Sequence, residues 1–516
     1  MSKEDAKKEL KRRQAIAAKM GGPDGIARQR KRGRLTARER LDKLLDPDTW
    51  MELGALEMFT TEEGEEYHAN KLRGYGRING RIVYVQSDDA TVLAGTGGKG
   101  VSGNVRQRGL HSELDPKQHF PIIRLGESGG VHLQSSMGST GVLSVTFRSQ
   151  SLLNPRKSPR VTAIMGNCFG DPSWRAAMSD FVVQVKGTCM AVSGPRVLEV
   201  ALSERPTLEQ LGGWELHAHE TGQVDAFAED DEHCMEIIQE FLSYLPSNCD
   251  EEPPRLEPSD PPDRKAVKLE KLIPEKRTKA YDMYRVIKQI VDDGKYFDLK
   301  PFFGTVLITC LARLNGRVVG FIANQPWHKG GAAGPEECEK ATCFITLCDS
   351  YNIPLIHLAD TPGFRVGLKA EKKKMPLKIM TWMEALALAT VPKMTVIIRK
   401  SYGMGISNMC GPNCGADFMA ALTTADISFM DPNAAANVVW SRQIEAADDP
   451  EAERARLIKE MEYGNAPWQA AADGWLDDVL EPADIRKYLI DRLELMHERR
   501  DGFLSKKLLQ NWPTGF

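Results

Sequence analysis

The chain lacks a long hydrophobic run. No stretch approaches the ~20 apolar residues needed to cross a bilayer, which excludes a membrane-spanning helix. It also lacks an excess of charge of one sign. Lys+Arg is 68 and Asp+Glu is 71, a net charge of −3, and so even a balance argues against a nucleic-acid partner. Paired cysteines are missing too. Ten cysteines are scattered without a C-x-x-C, and Cys410 and Cys414 form a C-x3-C with no second half nearby. That pattern predicts reduced, mostly buried thiols rather than disulfides or zinc. The familiar nucleophile and phosphate motifs are absent: no G-x-S-x-G, no G-x-x-x-x-G-K-[ST], no H-E-x-x-H. Gly95-Thr96-Gly97-Gly98-Lys99-Gly100 has the wrong spacing for a phosphate loop and reads as a loop. The N-terminus, MSKEDAKKELKRRQ, has no apolar signal region, so the expected location is cytoplasmic.

What is present is length and internal likeness. At 516 residues the chain exceeds one ordinary core, so two large domains are expected. Residues 1–45 read as a charged helical arm, punctuated by Gly21-Gly22-Pro23 and closing on LTARERLDKLL with apolar residues at helical spacing. Residues 250–264, DEEPPRLEPSDPPDR, hold five prolines and six acids, and such sequence behaves as an extended linker. This division gives an N-terminal domain over 1–250, a linker over 251–264 and a C-terminal domain over 265–516.

The two halves repeat one order of elements. Gly76–Val85 and Ala312–Phe321 are each strand, Asn-Gly, strand, a strong hairpin signal. FPIIRL leads into Glu127-Ser128-Gly129-Gly130, and IPLIHL leads into Asp360-Thr361-Pro362-Gly363. RVTAIMG precedes a glycine turn from Gly166 to Asp171, and PKMTVIIR precedes one at Gly403-Met404-Gly405. A duplication with a period of about 235 residues is too long for a solenoid. Alternating strands and helices predict an α/β fold with a parallel sheet in each half.

A glycine turn between a buried strand and a helix lets backbone approach a ligand and leaves first-turn amides without partners. Two such donors form an oxyanion hole, which stabilises a carbonyl oxygen that gains charge. The same turn also serves as a plain tight connection. Its occurrence once in each half brings the two readings level.

Several segments in order resemble the carboxyltransferase (beta) subunits of biotin-dependent acyl-CoA carboxylases. They are GGPDGIARQRKRGRLTARERLDKLLDP (21–47), ESGGVHLQ (127–134), residues 246–264, ANQP (323–326), CDSYNIPLIHLADTPGF (348–364) and ATVPKMTVIIRKSYG (389–403). The resemblance implies an enzyme of two tandem crotonase-like domains related by duplication, assembled as a homohexamer. It implies acyl-CoA against the N-terminal half and carboxybiotin against the C-terminal half of a neighbouring chain. Transfer then runs through an enolate, and the freed biotin ureido group takes the α-proton. Carried over, the N-half hole falls on Gly170 and Asp171 and the C-half hole on Met404 and Gly405, with Gly403 beside biotin. Ser128, Gly129, Gly130 and Gly166 fall on the CoA side. No Met-Lys-Met is present to carry biotin; Ala18-Lys19-Met20 is a partial echo within a helix. A separate biotin carboxylase and carrier subunit is therefore implied.

This chain departs from the family pattern in three places. Asp171 stands where glycine is usual. With Pro172 it makes a good N-cap and first helical residue, yet its carboxylate would repel a developing enolate. Met404 also replaces a glycine, and its amide still donates if the backbone angle suits a non-glycine residue. Residues 367–374, GLKAEKKK, replace a small polar run and read either as a solvated loop or as a contact for CoA phosphates. The alternatives to carboxylation are a decarboxylase of a carboxyacyl-CoA on the same fold and a non-catalytic paralogue.

Overall fold

The computed structural model describes residues 1–60, 64–97, 119–143, 156–497, 507–513 and 515. Lys99 and its neighbours from 98 to 100 lie outside the described residues. The chain divides chiefly into two units, Met1–Glu251 and Glu252–Trp512.

In the first unit, β1 (Met51–Leu53), β2 (Met58–Thr60) and β3 (Glu66–His68) lead into β4 (Lys71–Ile78) and β5 (Arg81–Asp88). Next come β6 (Ile122–Ser128), β7 (Arg160–Phe169), β8 (Phe181–Val185), β9 (Cys189–Ala191) and β10 (Ala226–Ala228). The sheet order is β1-β4-β5-β6-β7-β8-β10, with β9 on β7; β2 and β3 pair apart. The second unit holds β11 (Tyr296–Leu299), β12 (Leu307–Leu314), β13 (Arg317–Asn324), β14 (Leu355–Thr361), β15 (Lys393–Tyr402), β16 (Phe418–Leu422), β17 (Asp426–Ser428) and β18 (Asp478–Leu480). Its order is β11-β12-β13-β14-β15-β16-β18, with β17 on β15. The two sheets have one topology, strand for strand.

The hairpins form where Asn79-Gly80 and Asn315-Gly316 take positive φ, 50° and 78° in the first, 49° and 78° in the second. That pair of angles is what a two-residue turn with the strands' own twist requires. A carboxylate locks each turn: Asp46 accepts the Asn79 and Gly80 amides, and the buried Asp292 those of Asn315 and Gly316. Antiparallel β4 alternates buried residues with more open ones, mostly half-buried, whereas parallel β14 and β15 are buried throughout. Parallel strands covered on both faces read as continuous apolar runs for that reason.

The second unit's core packs Ile356, Leu358, Met394, Val396 and Ile398 against Val286, Ile287 and Ile290 of helix Met283–Ile290. In the first unit Phe181 and Phe241 stack at 4.1 Å, both fully buried. Each such ring contributes about 3 kcal/mol by burial.

Residues 3–44 form the expected helices, Lys3–Lys19, Gly22–Lys31 and Ala37–Leu44. The first is exposed. The third is a packed element, entered through a capping box of Thr36 and Glu39, and it buries Ala37, Arg40, Leu41 and Leu44. The proline-rich segment is extended but not free. Leu256 donates its amide to Gly316 O at 3.1 Å, and the Arg264 guanidinium donates to Gln289 O and Val291 O at 2.9 and 3.1 Å.

Candidate active site

The carboxyl ends of adjacent parallel strands are where open α/β sheets bind ligands. Here the ends of β6 and β7 bring together the two N-half segments singled out from the sequence. Ser128 pairs with Cys168 after a register shift between Gly126 and Ser128. Ser128 Oγ donates to Gly95 O at 2.7 Å, and the Gly129 amide donates to Ala94 O at 3.0 Å. Gly130, at φ 95°, lies so close to β7 that a Cβ would sit 2.9 Å from Phe169 O. The C-half repeats this. Thr361 pairs with Ser401 after an irregularity at Ala359/Thr361, and Thr361 Oγ1 donates to Gly331 O at 2.8 Å.

Beyond β7 the chain turns at Gly170 (φ 68°, ψ −122°) into helix Asp171–Ala177. Beyond β15 it turns at Gly403 (φ 55°) into Met404 and helix Gly405–Asn408. The amide of Gly170 is already donated to Ala191 O at 3.2 Å, and that of Gly403 to Ser428 O at 3.0 Å. Gly170 and Gly403 are therefore equivalent. Each supplies the backbone angle of the turn and joins it to β9 or β17. Gly170, expected in the N-half hole, thus spends its own amide within the fold. Among the described residues no acceptor takes the amides of Asp171, Met404 or Gly405. Proline has no N–H, and Pro172 occupies the position that Gly405 occupies in the other half. The N-half turn thus lacks an amide at the position where the C-half has that of Gly405.

Gly166 lies inside β7, buried, and the Glu127 side chain fills its missing side-chain space: a Cβ would sit 2.3 Å from Glu127 Cγ. Its lack of a side chain makes room for Glu127. Asp171 is the first helical residue and Gly170 is the cap. The Asp171 carboxylate is neutralised by Arg175, whose Nε donates to both oxygens at 3.0 and 2.9 Å. Met404 adopts φ −65°, ψ −11°, open to any residue, so its amide stays available. Gly405 is confined: a Cβ would meet Thr361 Cγ2 at 3.0 Å and Gly363 Cα at 3.1 Å. Residues 367–374 form a short helix, Leu368–Lys372, followed by Lys373, which pairs with Glu336 at 2.5 Å.

The acids ahead of the turns stood out in the sequence, but the cations that hold them did not. Glu127 is held by Arg34 at 2.9 Å and Arg40 at 2.7 Å. Asp360 is held by Arg399 at 3.1 Å and Lys400 at 2.9 Å. Arg40 carried no signal, because an arginine in a charged helix reads as solvated.

The comparisons agree with this architecture. A propionyl-CoA carboxylase carboxyltransferase subunit of Haloferax mediterranei is 35% identical over 520 residues, 98% of this chain and 99% of that one. A methylmalonyl-CoA decarboxylase subunit alpha of Propionigenium modestum is 34% identical over 509 residues, 97% of each. The crystal structure of transcarboxylase 12S, a hexamer with methylmalonyl-CoA bound, matches with a TM-score of 0.90 at 34% identity over 98% of both chains. The two units are therefore tandem crotonase-like domains. Residues 28–511 match the carboxyl transferase domain, and with relatives this similar along its whole length the chain belongs to that family of carboxyltransferase enzymes.

Proposed function

We propose that this chain is the carboxyltransferase component of a biotin-dependent acyl-CoA carboxylase, moving a carboxyl group from carboxybiotin to the α- (or vinylogous γ-) carbon of an acyl-CoA. One observation carries this reading. Two equivalent strand ends, one in each half, present unpaired helix-entry amides. Those donors suit a reaction whose main demand is oxyanion stabilisation.

The N-half binds the thioester. Ser128, Gly129 and Gly130 line its approach, Gly170 shapes the turn, and the Asp171 amide faces the oxygen that gains charge. The C-half binds the biotin ureido group. Its oxygen is an acceptor, and the paired amides of Met404 and Gly405 are the matching donor set, with Gly403 making the turn. Carboxybiotin, brought by a separate carrier subunit, supplies the carboxyl group and, once that is released, the base for the substrate's proton. The chain's own work is to hold two developing negative oxygens with fixed dipoles, which need no reorganisation during reaction. A homohexamer in the cytoplasm, served by a biotin carboxylase, completes the reading; transcarboxylase 12S supports the hexamer by its own assembly.

A second reading is favoured by one relative and one residue. The relative from Propionigenium modestum is a decarboxylase subunit at nearly the same identity, and Pro172 removes the amide that Gly405 supplies in the other half. Decarboxylation of a carboxyacyl-CoA passes through the same enolate in the opposite direction.

The test is a native pull-down followed by a streptavidin blot and a bicarbonate-fixation assay. Acetyl-, propionyl-, 3-methylcrotonyl- and longer acyl-CoAs are supplied with ATP. A biotinylated partner and ATP-dependent fixation are expected, and the preferred thioester names the substrate. Loss of radiolabelled CO2 from methylmalonyl-CoA without fixation would transfer the assignment to the decarboxylase. Neither activity would leave the non-catalytic paralogue.

A further inference from the structure

The two halves anchor their site turns with the same ion pair built from opposite sides. Glu127 and Asp360 occupy one position: each sits in the strand irregularity just before Ser128-Gly129-Gly130 or Thr361-Pro362-Gly363. Helices Ala37–Leu44 and Met283–Ile290 also correspond. Each follows a side-chain cap, Thr36 or Asp282, and each precedes the aspartate that locks the Asn-Gly turn.

Four residues beyond the cap stands Arg40 in the first half and Val286 in the second. On the strands, Ile122 pairs with Arg160 and Leu355 with Lys393, which puts Gly166 and Arg399 at one position. The cation has changed places: helix arginine and strand glycine in one half, helix valine and strand arginine in the other. The acids match the change. Glu127 is one methylene longer than Asp360 and crosses β7 over Gly166, where no side chain stands in the way.

Both cations join the same three parts. Arg40 reaches Glu127 at 2.7 Å, Met165 O on β7 at 3.2 Å, and Asp231 at 2.8 Å. Asp231 in turn accepts the Leu35 amide ahead of the helix at 3.0 Å. Arg399 reaches Asp360 from β15. It also donates to the carbonyls of Pro274, Lys276 and Lys279 ahead of its helix, the last at 2.9 Å, and lies 4.9 Å over the Tyr281 ring. Arg40 and Glu127 are both nine-tenths or more buried, as are Arg399 and Asp360. A carboxylate so buried needs its cation to stay in place.

We infer that Arg40 and Arg399 are equivalent positioning residues, each holding the acid that fixes its own half's glycine turn. Neither touches substrate. The arm helix Ala37–Leu44 is thus part of the N-half site, although it lies about 90 residues upstream of Glu127. The anchoring stands apart from the proposed reaction; only its kinetic consequence rests on that reading.

The test is hydrogen exchange on the full chain carrying Arg40→Met or Arg399→Met. In Arg40→Met the amides of 127–132 should exchange at least about tenfold faster, with 360–365 within about twofold of the parent. Arg399→Met should do the reverse. A triple change, Arg40→Met with Glu127→Asp and Gly166→Arg, rebuilds the C-half solution in the N-half and should restore slow exchange at 127–132. Should Arg40→Met not fold, Arg40→Lys keeps the charge and should give an intermediate rise, and the triple variant should fold. In turnover, Arg40→Met should raise the KM for acyl-CoA and leave that for the biotin substrate. A parent enzyme inactive with both substrates would sink the proposed reaction but leave the exchange test intact. Exchange at 127–132 unmoved in Arg40→Met, both spans rising together, or a folded triple variant that stays fast would overturn the inference.

Discussion

Asp171 and Pro172 concentrate the chemistry that sets this chain apart. A carboxylate in the first helical position would oppose an enolate, but Arg175 one turn along carries the opposite charge. With Asp171 46% exposed and Arg175 27%, the pair adds little stability; it cancels charge. Removing the cation alone should therefore hurt more than removing the pair. Arg175→Ala is expected to lower kcat/KM for the acyl-CoA about tenfold, or ~1.4 kcal/mol. The double variant with Asp171→Asn should recover most of it, and an Arg175→Ala enzyme at full activity would show that the carboxylate does not sense the reaction. Pro172 is a separate matter, because it removes a donor. Pro172→Ala returns an amide where Gly405 has one, and turnover should rise by about tenfold if oxyanion donors limit the N-half. Steady-state kinetics with unchanged acyl-CoA binding would check it.

Among the elements, β14 carries an ionisable group that its sheet cannot hydrate. His357 is fully buried, and burial pushes its imidazole down to about 3, against an ordinary value near 6.5. The folded state therefore refuses a proton that the unfolded chain accepts. The stability of the neutral form is fully present above about pH 6.5 and is lost as pH falls toward 3. At pH 5 the loss amounts to about 2 kcal/mol. Replacing His357 with Leu should flatten the stability curve between pH 6.5 and 4, measured by urea unfolding at each pH; an unchanged slope would place the acid sensitivity elsewhere. Its register neighbour in the first half is Arg124, so the two sheets share topology but not the polar residues inside them.

For the whole molecule, apolar side chains remain exposed in both units. Met137 is 74% exposed and Leu143 69% in the first; Phe429 is 78% exposed and Val438 70% in the second. Solvent-facing apolar surface of this kind marks association. We expect six chains of 57.4 kDa to assemble, seen as one species by light scattering behind size exclusion. Activity should fall on dilution to the point where the assembly separates. A fully active monomer would remove the neighbouring chain from the site.

Much of this was legible in the order of residues. The hairpins at Asn79-Gly80 and Asn315-Gly316, the buried parallel strands and the glycine turns are local patterns, and a pattern that occurs twice in one order announces a duplication. The family was legible for the same reason, through contiguous segments such as 348–364. Tertiary structure alone decided what the turns use. Gly170 spends its amide on Ala191, Gly166 yields its space to Glu127, Asp171 meets Arg175, and Arg40 is a buried anchor rather than a solvated charge. Periodicity could not show these facts. A side chain's role in the site depends on which group faces it across the fold, and Arg40 and Glu127, 2.7 Å apart in space, are joined only by the path of the folded chain.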